Sequence, residues 1–264
     1  MPELSISDLL EAGVHFGHQT DRWNPRMRPF IFDARNGIHV IDVTQTQQKI
    51  QEATEFLRAL LLKGKDVLFV GTKKQARDII REVAEKCHMH CVTERWLGGT
   101  LTNLRTIRKS VGRLREIERM QSDSSFGKLG KKEASSLRRE AARLHRNLDG
   151  ILRMEKHPDA LFIVDVVHEK IAVAEARRLK IPIVALVDTD ADPTLVTHPI
   201  PANDDGIRSV KAIIAHFGEE LYQSRMHFER MHPQQVAPSS DVPSKTEAPP
   251  KADGKETDLE AVGD

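Results

Sequence analysis

The stretch DALFIVDVVHEKIAVAEARRLKIPIVALVD, Asp159 to Asp188, decides the fold class. Its two ends, Asp159 to Val167 and Ile181 to Asp188, are near-continuous apolar runs rich in Val and Ile, the pattern of strands buried on both faces. Between them His168 to Lys180 reads as a helix, with Ile171, Val173, Ala174 and Leu179 expected to face inward. A strand, a helix and a second strand make a parallel pair with a crossover. Upstream the same grammar recurs, with Asp66 to Val70 as a strand, a turn at Gly71 to Lys73 and a helix to Lys86. The expected fold is therefore α/β, a doubly wound, mostly parallel sheet of Rossmann-like or flavodoxin-like type.

The two units are separated by a segment of another character. Thr93 to Asn103 reads TERWLGGTLTN, and two long helical segments follow, with a turn at Gln121 to Gly130. Leu104, Ile107, Val111 and Leu114 on the way out, and Leu137, Ala141, Leu144, Leu148 and Ile151 on the way back, recur every three or four residues. Each arm thus buries one narrow stripe against the other, a coiled-coil hairpin inserted into the sheet domain. From Arg105 to Lys156 there are fifteen Lys and Arg against seven Asp and Glu, net +8 in a chain whose total is +1. That imbalance is either a solvated helix face or a basic projection that meets an anionic partner; the narrow stripe and the single sign favour the partner. The expected division is an α/β domain over 1–103 and 157–231, the hairpin over 104–156, and a tail over 232–264.

From Pro233 onward, seven acids face three lysines, five of the thirteen prolines are present, and few large apolar residues remain, so the tail is expected to be disordered. No run of about 18 apolar residues would span a membrane, and the start MPELSISDLLEAG lacks a secretory pattern. Two cysteines, Cys87 and Cys91, are too few for a disulfide framework and fit a reducing cytosol.

At the N-terminus Ser7 is a plausible cap for a helix ending at Gly13. Ile38 to Val43 reads as a strand, and Thr44 as the cap of a helix to Gly64. Between them lies VHFGHQTDRWNPRMRPFIFDARN, where Pro25 and Pro29 forbid a continuous helix. An irregular arm with four arginines and Trp23 suits folded RNA, or packs as a loop on the core. His15 and His18 have no neighbour at metal-ligand spacing and suit packing or hydrogen bonding. The turn GTKKQAR matches neither GxGxxG nor GxxxxGK[ST], although Lys73 and Lys74 can meet a backbone phosphate. Cys87, His88, Met89, His90 and Cys91 crowd potential zinc ligands into one turn, where tetrahedral convergence is difficult; a helix end leading into a strand accounts for them.

Asp188, Asp190, Asp192, Asp204 and Asp205 gather at the carboxyl edge of the sheet. Such carboxylates hold magnesium or zinc, act as acid and base, or cap turns and helices; the caps are favoured because no partner nucleophile is recognisable. A last helix is expected from Asp205 to about Met231, burying Ile207, Val210, Ile213, Ile214, Phe217, Leu221 and Tyr222.

Taken together, GVHFGHQTDRWNPRMRPFIF (Gly13 to Phe32), DVLFVGTKKQA (Asp66 to Ala76), RWLGGTLTN (Arg95 to Asn103), PDALFIVD (Pro158 to Asp165), IPIVALVDTDADP (Ile181 to Pro193) and IPANDDGIRSV (Ile200 to Val210) resemble the ribosomal protein S-two family of the bacterial small subunit. The resemblance spans roughly residues 4 to 225. It implies a non-enzymatic constituent of the ribosome in the cytoplasm, bound to small-subunit ribosomal RNA and neighbouring ribosomal proteins between head and body, joining late and helping to recruit the mRNA-binding protein S-one. It implies RNA contact by the arm, through Arg22, Trp23, Asn24, Arg26, Arg28 and Arg35, and by the segment holding Arg95, Trp96, Gly98, Gly99, Thr102, Asn103, Arg105, Arg108 and Lys109. No cofactor is required; a structural magnesium or zinc ion would fall on Asp188, Asp204 and Asp205. Two departures stand out. Ala202 replaces the usual glycine, which argues against a positive φ there, and TLVTH (Thr194 to His198) lacks aspartates, which weakens the metal site. The competing class is an enzyme binding a nucleotide or sugar phosphate at the sheet edge through Lys73, Asp188 and Asp205, against which stands the missing phosphate fingerprint. A third is a protein-binding scaffold whose hairpin pairs with another coiled coil; its arginine-dominated flanks argue against it.

Overall fold

The computed structural model describes residues 4–123 and 129–232. The expected tail from Pro233 onward and the centre of the hairpin turn, 124–128, lie outside the described residues. Five parallel strands form the main sheet, β4 (Val67–Val70), β5 (His90–Val92), β6 (Ala160–Val164), β7 (Ile183–Val187) and β8 (His198–Pro201). Their spatial order is β5-β4-β6-β7-β8. Counted from β4 this is the order 2-1-3-4-5, with the switch point between β4 and β6.

Alternation along each strand sends side chains to opposite faces. Val67 and Phe69 of β4 join one apolar cluster with α2 (Val43–Leu61), α3 (Lys74–Lys86) and α7 (Ile207–Met231). Leu68 and Val70 join a second cluster with Trp96, Leu101, Ile107, Leu148 and the inner face of α6 (Lys170–Arg178). Both faces are covered, which is why β6 and β7 read as unbroken apolar runs: all five residues of each are buried.

Several local expectations are corrected. The first helix, α1 (Ile6–Glu11), is capped by Ser5, whose hydroxyl accepts from Asp8 N while Asp8 reaches back to Ser5 N, a capping box that leaves Ser7 inside the helix. Asp42 rather than Thr44 caps α2, accepting from Thr44 N at 3.0 Å. The arm is less irregular than its prolines suggest. β1 (Phe16–Gln19), β2 (Ile31–Arg35) and β3 (Ile38–Ile41) form an antiparallel sheet in the order β1-β3-β2, and Pro25 and Pro29 sit in a 3-10 turn between β1 and β2. On α6 the expected face is wrong for three of four residues: Ile171 is 50 % exposed, Ala174 and Leu179 are also exposed, and Ala172, Val173, Glu175 and Ala176 are buried. Ala172, Val173 and Ala176 pack into the second apolar cluster, and the larger Ile171 and Leu179 are turned out. On α7, Ile207 likewise faces solvent while Phe228 is buried.

Between β5 and β6 the chain makes α4 (Leu104–Ser122) and α5 (Lys131–Leu148). Ile107, Val111 and Leu148 belong to the sheet's second cluster, whereas Leu114, Ile117 and Ala141, with Met120, Leu137 and Leu144, form a separate small cluster. The start of α4 and the end of α5 are thus anchored to the domain, and the rest of the pair holds itself together. At its foot Gly150 passes the sheet so closely that a Cβ there would stand 2.1 Å from the Cys91 carbonyl oxygen.

Candidate nucleic-acid interface

The loop before α4 is organised by one carboxylate. Glu175, on the inner face of α6 and 8 % exposed, accepts from Trp96 Nε1 (3.0 Å), Gly99 N (2.7 Å), Leu101 N (3.0 Å), and both the amide and hydroxyl of Thr102 (3.0 Å each). Burial pushes its carboxyl up, but these donors more than reverse that and hold it below the ordinary carboxylate range. Gly99 supplies the turn, with φ +87°. Trp96 is an anchor: it is buried in the second cluster, so its ring offers little face to a base. Asn103 stands at the N-cap position of α4, but its side chain accepts from Thr106 Oγ1 at 2.9 Å.

The loop is held from beneath, and its outer side is left to Arg95, Gly98, Thr102, Arg105, Arg108 and Lys109, all exposed. Among the described residues, none of these arginines nor Lys109 forms an ion pair. Lys74, at the start of α3, is exposed and unpaired in the same sense. In α4 and α5 the apolar stripe is flanked by cations; Arg113 is one of the few engaged, with Glu116 (2.8 Å) and Glu140 (3.4 Å).

Other expected site residues face elsewhere. Lys73 turns into the switch point, its Nζ 2.9 Å from Asp165, 2.7 Å from Asp204 and 2.6 Å from Asp205. Burial alone would lower its pKa, but the surrounding carboxylates win and raise it. His18 reaches the same edge from β1, with Nδ1 3.1 Å from Asp188 and Nε2 3.5 Å from Asp205, and the Asp188 carboxylate beside it raises its pKa to about 9. Burial and neighbouring carboxylates push Asp204 up to about 8. Asp188, Asp204 and Asp205 therefore meet, but around protein cations. Among the described residues no group of three or more His, Cys, Asp and Glu has the geometry to hold a metal. Asp192 and Asn203 act as caps, on Thr194 N and on Asp205 N and Gly206 N. Ala202 is buried with no positive φ. Cys87 and Cys91 are buried free thiols raised by burial to about 12 and 11, at the helix end and strand expected of them.

The arm docks on this edge through His18 N to Thr189 Oγ1 (2.8 Å) and Asn24 N to Thr189 O (2.7 Å), and Trp23 lies 5.2 Å from the His39 ring. Arg26 pairs with Asp192 and Arg35 with Asp33, while Arg22 and Arg28 are exposed. Glu175 itself escapes sequence reading, because an acid among alanines on a helix looks solvated. The signal that could have found it is its place between Val173 and Ala176, on the narrow small-residue face.

The family model described as "Ribosomal protein S2" matches residues 9–223. The chain is also similar to the small ribosomal subunit protein uS2 of Synechocystis sp., 51 % identical over 225 residues that cover 85 % of this chain and 84 % of the relative. The parallel sheet, the arm and the Glu175-held loop all lie within the matched region, and the chain belongs to the ribosomal protein S2 family, structural and non-enzymatic constituents of the small ribosomal subunit.

Proposed function

We propose that the chain binds small-subunit ribosomal RNA through the outer side of the loop from Arg95 to Asn103, the cationic flank of α4 and α5, and the exposed arginines of the arm. The observation that carries this reading is the contrast in how cations are used. Lys73 and His18 are neutralised by aspartates, whereas Lys74, Arg95, Arg105, Arg108 and Lys109 stand on a rigidly held surface with no ion pair among the described residues. Phosphates are the ligand for such a band, and glycine at exposed position 98 lets a sugar-phosphate chain approach the backbone. The helical pair is the projecting coiled-coil element of the interface. On the particle the protein lies between head and body, contacts other small-subunit proteins and supports recruitment of the mRNA-binding protein S-one. The nucleotide-enzyme reading loses support, because Lys73, its phosphate ligand, is held by three carboxylates.

The test is the affinity of the intact protein for a small-subunit ribosomal RNA transcript as a function of salt. Each phosphate contact contributes about −0.7 to −0.9 to the logarithmic slope, so replacing Arg105, Arg108 and Lys109 by alanine should flatten it by about 2–3. An unchanged slope and affinity would overturn the proposal.

A further inference from the structure

The inversion of α6 leaves a surface that the loop does not account for. Its outward face carries Ile171, 50 % exposed, and Ala174, flanked by exposed Lys170, Arg177 and Arg178, with Lys180 just beyond. No ion pair engages these four cations among the described residues. The helix and its cap hold two carboxylates, and both are buried on backbone amides: Glu169 accepts from Thr72 N at 2.7 Å, and Glu175 holds the loop. A hollow of about 470 Å³ opens between α6 and the loop, lined by Thr102, Lys170, Ile171, Ala174, Glu175 and Arg178. On the other side of Ile171 a second hollow, of about 640 Å³, reaches Lys74, Arg95 and His168.

We infer that the outward face of α6 binds an unpaired segment of RNA, with a base resting against Ile171 and Ala174 in the smaller hollow and the flanking phosphates on Lys170 and Arg178. The inference rests on the RNA-binding reading above and extends it to a helix outside the loop and the hairpin. Base faces and phosphates alternate along a single strand, and cations flanking an apolar ridge meet both, here with aliphatic side chains in place of the aromatic rings that usually stack on bases. A partner protein fits less well, since the cores of protein interfaces are depleted in lysine and charge, and here four cations surround two apolar side chains. Glu175 lines the smaller hollow, but its oxygens are taken up by the five donors of the loop and Glu169 by Thr72 N, so the four exposed cations set the sign of the outer face.

The full chain is to be titrated with a labelled 12-nucleotide single-stranded RNA, the matching RNA duplex and the small-subunit transcript. The double variant Lys170→Ala/Arg178→Ala should weaken single-strand binding roughly tenfold or more and reduce the salt slope by about 1.4, two single-strand contacts. Ile171→Ser should lose roughly fivefold on the single strand with the slope unchanged and no effect on the duplex. Wild-type affinity and slope in the double variant would overturn the inference and make this face a protein contact. If Arg105, Arg108 and Lys109 variants lose affinity in the same assay, the failure is confined to α6; if they also bind normally, the RNA reading falls with it.

Discussion

Replacing Glu175 by alanine should loosen the Arg95 to Asn103 loop more than any other single change near it. Five donors converge on the carboxylate at 2.7–3.0 Å. Two belong to residues that cannot turn to water, Trp96 at 6 % exposure and Leu101 at 0 %. A buried donor left without a partner costs about 1–3 kcal/mol, so these two alone set a loss near 4 kcal/mol, while Gly99 and Thr102 can recruit solvent. For a chain of this size about 4 kcal/mol corresponds to a melting point lower by about 8–16 °C. Glu175→Gln keeps an acceptor but points an amide at donors, and should lose roughly half as much. The carboxyl is held below its unfolded pKa. Its stabilisation is therefore complete above that unfolded value, about 4.3, and disappears as pH falls through the folded value. Glu175→Gln should accordingly flatten the acid limb of the stability curve. Thermal melts between pH 3 and 7 provide the measurement. A drop below about 4 °C for the alanine variant, with an unaltered acid limb for the glutamine variant, would refute the view that this carboxylate organises the loop.

Four further outcomes follow from the same structure. The stability His18 contributes through Asp188 is fully present below its unfolded pKa near 6.5 and fades as pH rises through about 9, so His18→Gln should lose about 1–2 kcal/mol at pH 6, water screening part of the interaction, and much less at pH 10 in denaturant titrations. Lys73→Met leaves Asp165, Asp204 and Asp205 without their shared cation and should cost about 3–5 kcal/mol by urea unfolding, with partial recovery on acidification as the carboxyls are protonated. Leu114→Ala empties the small cluster between α4 and α5; amide exchange should accelerate in the outer turns of both helices while β4 and β6 keep their protection. Gly150→Ala drives a methyl into the Cys91 carbonyl and should destabilise by about 3 kcal/mol in the same urea assay.

What could be read from the residues and what could not divide along physical lines. β6 and β7 were legible because both faces are buried and the apolar runs are unbroken. The helical pair was legible because a narrow stripe at three- and four-residue spacing has few competing explanations. The face of α6 runs against hydrophobicity, which ranks Ile171 and Leu179 above Ala172 and Ala176, whereas the buried side is made of the small residues with Glu175 among them. β1 and β2 escaped because they are four and five residues long and mostly exposed, which removes the alternation that marks a strand. Of the site, the cations of the loop and of α4 could be listed from charge alone. That Lys73 turns inward while Lys74 faces out depends on which aspartates β6 and the loop after β8 bring to it, and separations of 92 and 131 residues leave no local trace.

The insertion of the helical pair between β5 and β6 also sets a timetable for synthesis. β4 is flanked in the finished sheet by β5, which follows closely in the chain, and by β6, which ends 94 residues after Val70. At about 5–20 residues per second the ribosome needs roughly 5–20 s to deliver that second neighbour. Throughout the interval one edge of β4 waits for a strand, while α4 and α5, whose contacts are local, can zip together as soon as they emerge. The N-terminal arm waits longest of all. Its hydrogen bond from His18 to Thr189 joins residues 171 apart, so the first segment of the chain to be made is among the last to find its place.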